Sequence, residues 1–142
     1  MYKLTPAAYI FTHQYLNTMQ QGIQSAHVVA ELCSLDNKSG ELARDWAKQH
    51  KVIRVLNAGS GDKFENNRHA WVAICDMYAE FHIPNAFFRE PDIGYMITAF
   101  GFVLTPEIIL DIEKECAEMQ CFGMDPDDLP IINFLKQLNP AK

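Results

Sequence analysis

Four short runs rich in aromatic and β-branched residues punctuate the chain: "AAYIFTHQYL" (7–16), "KVIRVLNA" (51–58), "NAFFRE" (85–90) and "MITAFGFVL" (96–104). Segments with helical periodicity separate the first three. Such runs fit pleated strands, and their alternation with helices restricts the chain to a sheet that helices cover. The first run is expected to end near His13 to Tyr15. Asn17, with Gln20 three residues on, has the pattern of an N-cap for a helix over 18–35. Ile23, Ala26, Ala30 and Cys33 mark the expected buried stripe of that helix, and His27 stands beside it.

Residues 36–40 are turn chemistry, and Ser39 is the expected cap of a second helix reaching His50. After the second run, Gly59-Ser60-Gly61 breaks the chain. Asp62 with Glu65 then opens a long helix whose buried face is Trp71, Ile74, Cys75, Tyr78 and Phe81. Pro91-Asp92-Ile93-Gly94-Tyr95 joins the last two runs as a turn. Thr105-Pro106-Glu107 combines a cap, a proline at the first helical position and an acid in the first turn. Ile108, Ile109, Ile112, Cys116 and Met119 form the apolar face that follows.

A last helix over 129–138 carries Ile131, Ile132, Phe134, Leu135 and Leu138. That is more apolar surface than one buried face needs, so a homodimer contact is expected there. The order βααβαββα plus a C-terminal helix predicts the α/β class, as a three-layer sandwich of a four-stranded mixed sheet with helices on both faces. The 142 residues, 49% of them apolar, fit a single domain over 1–142, with 120–142 as a C-terminal helical extension.

Other classes are excluded by pattern. No apolar run approaches the roughly 18 residues of a membrane helix, and the N-terminus lacks the features of a signal peptide, so a cytoplasmic location without membrane contact is expected. Cys33, Cys75, Cys116 and Cys121 lack zinc-knuckle or redox spacing and read as buried free thiols. The five histidines are never three or four apart, so neither a metal nor another cofactor is expected. Phosphate loops of the Walker type and serine nucleophile elbows are missing. A net charge of −6, with acids crowding 107–128, disfavours a broad nucleic-acid footprint. Lys48, Lys51, Arg54, Lys63 and Arg68 leave room for a local basic patch only.

Polar chemistry gathers in three segments where strands give way to helices or turns: 13–24, 57–69 and 89–95. In the last, Glu90 or Asp92 could orient His27 or His13, or meet a sugar hydroxyl. The alternative is an acidic turn in which Arg89 pairs with a neighbour. Asn67, Arg68 and His69 could reach a phosphate or base edge, or form a solvated first helical turn. His27 is either a satisfied core histidine or part of a site.

Three stretches, Gly22-Ile23-Gln24-Ser25-Ala26-His27, "WAKQHKVIRVL" and "FREPDIGYMITAF" with its Thr98, resemble the type-2 peptidyl-tRNA hydrolase family over about residues 7–115. The resemblance implies that family's α/β fold and a pocket at the start of the first helix, near Gln20, Gln24 and His27. It also exposes two departures. Gln20 stands where the family carries a lysine, and Glu90-Pro91-Asp92 stands where it carries an Asp-Ala-Gly step. An amide cannot supply an ammonium's charge to a phosphate or a developing oxyanion, which leaves Lys63 or Arg68 as substitutes.

The expectation is therefore a divergent member that holds a small polar, nucleotide-type ligand in the former active site through Gln20, Gln24, Arg68, Arg89, Asp92 and Tyr95. A phage accessory protein capturing a signalling nucleotide is one setting for it. The alternative is an active hydrolase of peptidyl-tRNA or a related ester, with His27 or His13 as base and Glu90 orienting it. tRNA is the less favoured partner. A dimeric interaction module is the third reading.

Overall fold

A computed structural model describes residues 2–140. Its elements are β1 (Ala7–Thr12), α1 (Thr18–Cys33), α2 (Lys38–Gln49), β2 (Ile53–Asn57), α3 (Gly61–Met77), β3 (Asn85–Glu90), β4 (Met96–Leu104), α4 (Pro106–Cys121), α5 (Pro130–Lys136) and β5 (Asn139–Pro140). The four expected strands lie in the order β3-β4-β1-β2. β1 and β2 are parallel, and β4 runs antiparallel to both β1 and β3. The two-residue β5, just beyond the helix expected over 129–138, adds to the outer side of β2 within the segment expected to be a helical extension.

Alternation along the strands sorts the core into two layers. Tyr9, Phe11, Phe100, Phe102 and Leu104 face α3, α4 and α5. Ala8, Ile10, Ala99 and Val103 face α1 and α2, whose Val28, Leu32, Ala43 and Trp46 close that side. Helices thus cover both faces of a mixed sheet. Gly101 permits the closest approach within it, since a Cβ there would meet the Tyr9 carbonyl oxygen at 2.5 Å.

Several local expectations are corrected. The buried stripe of α1 is Gln24, Ser25, Val28 and Leu32, while Ile23 and Ala26 are exposed. A glutamine is buried there because its amide finds partners across the sheet. Asn37 rather than Ser39 caps α2, its side chain accepting from the Gly40 N–H. Ser60 stands at the cap of α3 and gives it no side-chain bond, so the capping box from Asp62 to Glu65 does not form. Ile131, Ile132, Phe134 and Leu135 of α5 are all buried within the chain's own core, with Phe134 edge-on to Phe11 at 5.1 Å. The apolar excess on which a dimer contact was based is absorbed internally. Of the four thiols only Cys116 is buried, and Cys121 is exposed.

Candidate functional site

Because β1 and β2 are parallel neighbours whose following loops lead to helices on opposite faces, a crevice opens beyond their C-terminal ends. Hydrogen bonds hold its floor. The His13 N–H donates to the Thr98 carbonyl at 3.2 Å, Gln14 N–H to Gly59 O at 2.8 Å, and Ala58 N–H to Thr12 O at 2.9 Å. The start of β4 and the end of β3 reach the same end of the sheet, as do the first turns of α1 and α3.

An irregularity decides which way the side chains point. Phe88 pairs with Ala99, but Arg89 pairs with Ile97, so β4 carries one extra residue opposite this step. Such a bulge turns two successive side chains to one side. Ala99 belongs to the α1 face, and Thr98 beside it also reaches α1, its hydroxyl donating to Gln24 Oε1 at 3.1 Å. The other end of that amide, Nε2, donates to Glu90 Oε2 at 2.8 Å. Glu90 Oε1 accepts from the Asp92 N–H at 3.3 Å. These bonds, the Gln24 amide first, hold the Glu90 carboxyl below its ordinary value.

Arg89, one residue earlier, points to the opposite face. There it helps line a cleft of about 500 Å³ with His13, Gly61, Asp62, Phe64, Glu65, Arg68, Met96 and Ile97. Burial lowers the His13 pKa from its ordinary 6.5, which leaves the imidazole neutral at pH 7. Its ring lies 4.9 Å from that of Phe64, and its Nδ1 accepts from the Tyr15 N–H at 3.3 Å. Arg68 donates to Glu65 at 2.8 Å, and this bond lowers the Glu65 pKa. Arg89 donates to the Tyr95 carbonyl at 3.2 Å and lies 5.3 Å from the Phe87 ring centre.

The residues singled out in sequence thus divide between two faces. His13, Arg68 and Arg89 come together in the cleft; Gln24 and Glu90 join Thr98 on the α1 side. His27 stacks flat on Phe88 at 4.1 Å, on the α1 side. Glu90 bonds the Gln24 amide and a backbone N–H, so the expected carboxylate–imidazole bond to His27 or His13 does not form. The Gln20 side chain is used locally, accepting from the Asn17 N–H at 3.0 Å in the capping box of α1. Asn67 is likewise structural, donating to the Ala58 carbonyl at 2.9 Å. Asp92 and Tyr95 are exposed on the turn beyond β3, with Tyr95 at a positive φ of 60°.

Sequence reasoning missed Phe64, Met96 and Ile97 as lining residues. The available signal was positional, since Phe64 follows the glycine-rich break by one helical turn. The arrangement offers two guanidinium groups, a neutral imidazole and the first turn of α3, whose N–H groups receive no side-chain cap. Asp62 and Glu65 line the same cleft and Glu65 pairs with Arg68, so Arg89 and the start of α3 are the groups best placed to meet an oxygen anion. No protein-family model matches the sequence, and no curated protein is significantly similar to it.

Proposed function

We propose that this chain is a divergent protein of the type-2 peptidyl-tRNA hydrolase kind that binds a small anionic, nucleotide-type ligand in the cleft lined by His13, Phe64, Arg68 and Arg89. The observation that carries this reading is that two arginines from separate elements, α3 and β3, line one cleft together with His13, whose pKa burial lowers, in an otherwise acidic chain. A volume of about 500 Å³ is of the order that small-molecule sites have. Phosphate oxygens would meet the guanidinium groups and the start of α3, and a base would stack over the exposed Tyr15.

The test is a melting screen over mono-, di- and cyclic nucleotides with aminoacyl-adenosine mimics. A ligand at 100 times its dissociation constant adds about 2.7 kcal/mol, or roughly 5–10 °C for a domain of this size. Arg68→Ala and Arg89→Ala should each abolish the shift. A library without hits, or hits that shift both variants as much as the wild type, removes the reading.

One observation favours a second reading, ester hydrolysis. A histidine kept neutral beside cationic side chains acts as a general base once its one acceptor nitrogen, Nδ1, is released from the Tyr15 N–H. Gln20 supplies no charge in place of the family's lysine, so any stabilisation of an oxyanion falls to Arg68 or Arg89. Turnover of peptidyl-tRNA or aminoacyl esters that is lost in His13→Ala would establish it.

A further inference from the structure

A second cleft, at the opposite end of α3, shares no residue with the first. It has a volume of about 430 Å³ and lies between the C-terminal end of α3 with the turn Ala79–Phe81 and the outer face of α4. Glu80, Asp111, Glu115 and Glu118 line it against a single base, Lys114. None of these five makes an ion pair among the described residues. Burial raises the pKa of Glu115, and repulsion from Glu118 and Glu80 raises it further.

Tyr78 also lines this cleft. The residue is 2% exposed, and its hydroxyl has no hydrogen-bond partner among the described residues. A buried hydroxyl left without a partner is destabilising, and a ligand that bonds it removes that cost. The Tyr78 and Phe81 rings lie 5.7 Å apart, and Met77 adds further apolar lining.

We propose that this cleft binds a linear polyamine, whose ammonium groups meet the carboxylates and the Tyr78 hydroxyl while its methylenes lie against Met77, Tyr78 and Phe81. Asp111, Glu115 and Glu118 recur on one face of α4 over about 10 Å of helix, a row that a triamine can follow. An ammonium is a pure donor, the complement of carboxylates and of a hydroxyl's lone pairs. Aromatic faces attract it as well, and the C-terminal end of α3 adds the negative pole of its dipole. A bare metal ion fits less well, because among the described residues no group of three or more His, Cys, Asp or Glu has metal-binding geometry.

Calorimetry with spermidine at about 0.15 M ionic strength tests the site, with magnesium at equal charge as comparison. The expected result is saturable one-to-one binding that weakens roughly tenfold or more in Glu115→Gln/Glu118→Gln, with magnesium failing to compete. Tyr78→Phe should also weaken spermidine binding while melting no lower than the wild type, a pairing that a purely structural tyrosine would not produce. A control pair on the other face, Glu31→Gln/Asp36→Asn, should bind normally. Absent binding, equal competition by magnesium, equal loss in the control pair, or wild-type affinity in Glu115→Gln/Glu118→Gln would each overturn the proposal.

Discussion

Gln24 and Glu90, 66 positions apart in sequence, share a 2.8 Å hydrogen bond that ties α1 to the end of β3. With the Thr98 hydroxyl on its other end, the Gln24 amide is 6% exposed and satisfied at both its oxygen and its nitrogen. Gln24→Leu keeps the bulk and removes both bonds. The buried Thr98 hydroxyl then loses its acceptor, which should cost about 1–3 kcal/mol in chemical denaturation. A change under about 0.5 kcal/mol, the range of ordinary surface substitutions, would show that the amide contributes little.

The same pair predicts a pH signature. The Glu90 carboxyl is held below its ordinary 4.5 by the Gln24 amide and then by the Asp92 N–H. A depressed folded-state pKa contributes stability that is present above the unfolded value and is lost as the pH falls through the folded one. The stability gap between wild type and Gln24→Leu should therefore narrow as the pH is lowered from about 6 to about 3. A gap independent of pH would mean that the charge on Glu90 does not contribute through Gln24.

Trp71 is 3% exposed, packs 5.0 Å from the Phe100 ring and donates its indole N–H to the Gly101 carbonyl at 3.2 Å. Trp71→Ala should destabilise by about 3–5 kcal/mol. Trp71→Phe should recover part of that loss, because the ring contact returns without the hydrogen bond. Equal damage from both substitutions would assign the effect to the indole N–H alone.

Bulk tRNA should not bind tightly. A net charge of −6 and isolated rather than clustered bases give few phosphate contacts. Gel shifts at roughly 150 mM salt should show no submicromolar complex, and a steep salt slope there would move the balance toward the hydrolase reading.

Strands and helices were legible because each carries a local signature: the run "NAFFRE" coincides with β3, and Thr105 caps α4 as its hydroxyl accepts from the Ile108 N–H. The stripe of α1 was not legible, because hydrophobic periodicity cannot mark a buried glutamine whose partners are 66 and 74 residues away. Nor could spacing show that Arg89 and Glu90, adjacent in sequence, serve opposite faces. That separation follows from strand alternation, and the bulge opposite them is what turns Thr98 toward Gln24. The apolar richness of α5 was visible, but its destination was not, since a surface stripe and a core plug share one composition.

The burial of α5 against β1 has a consequence for how the molecule is made. Phe11 and its edge-on partner Phe134 lie 123 positions apart in the sequence, so the first leaves the ribosome long before the second. The aromatic layer stays open until α5 has emerged, so its closure cannot precede the synthesis of Phe134. Products ending before residue 130 would expose Phe11 and its neighbours, and proteolytic quality control should clear them.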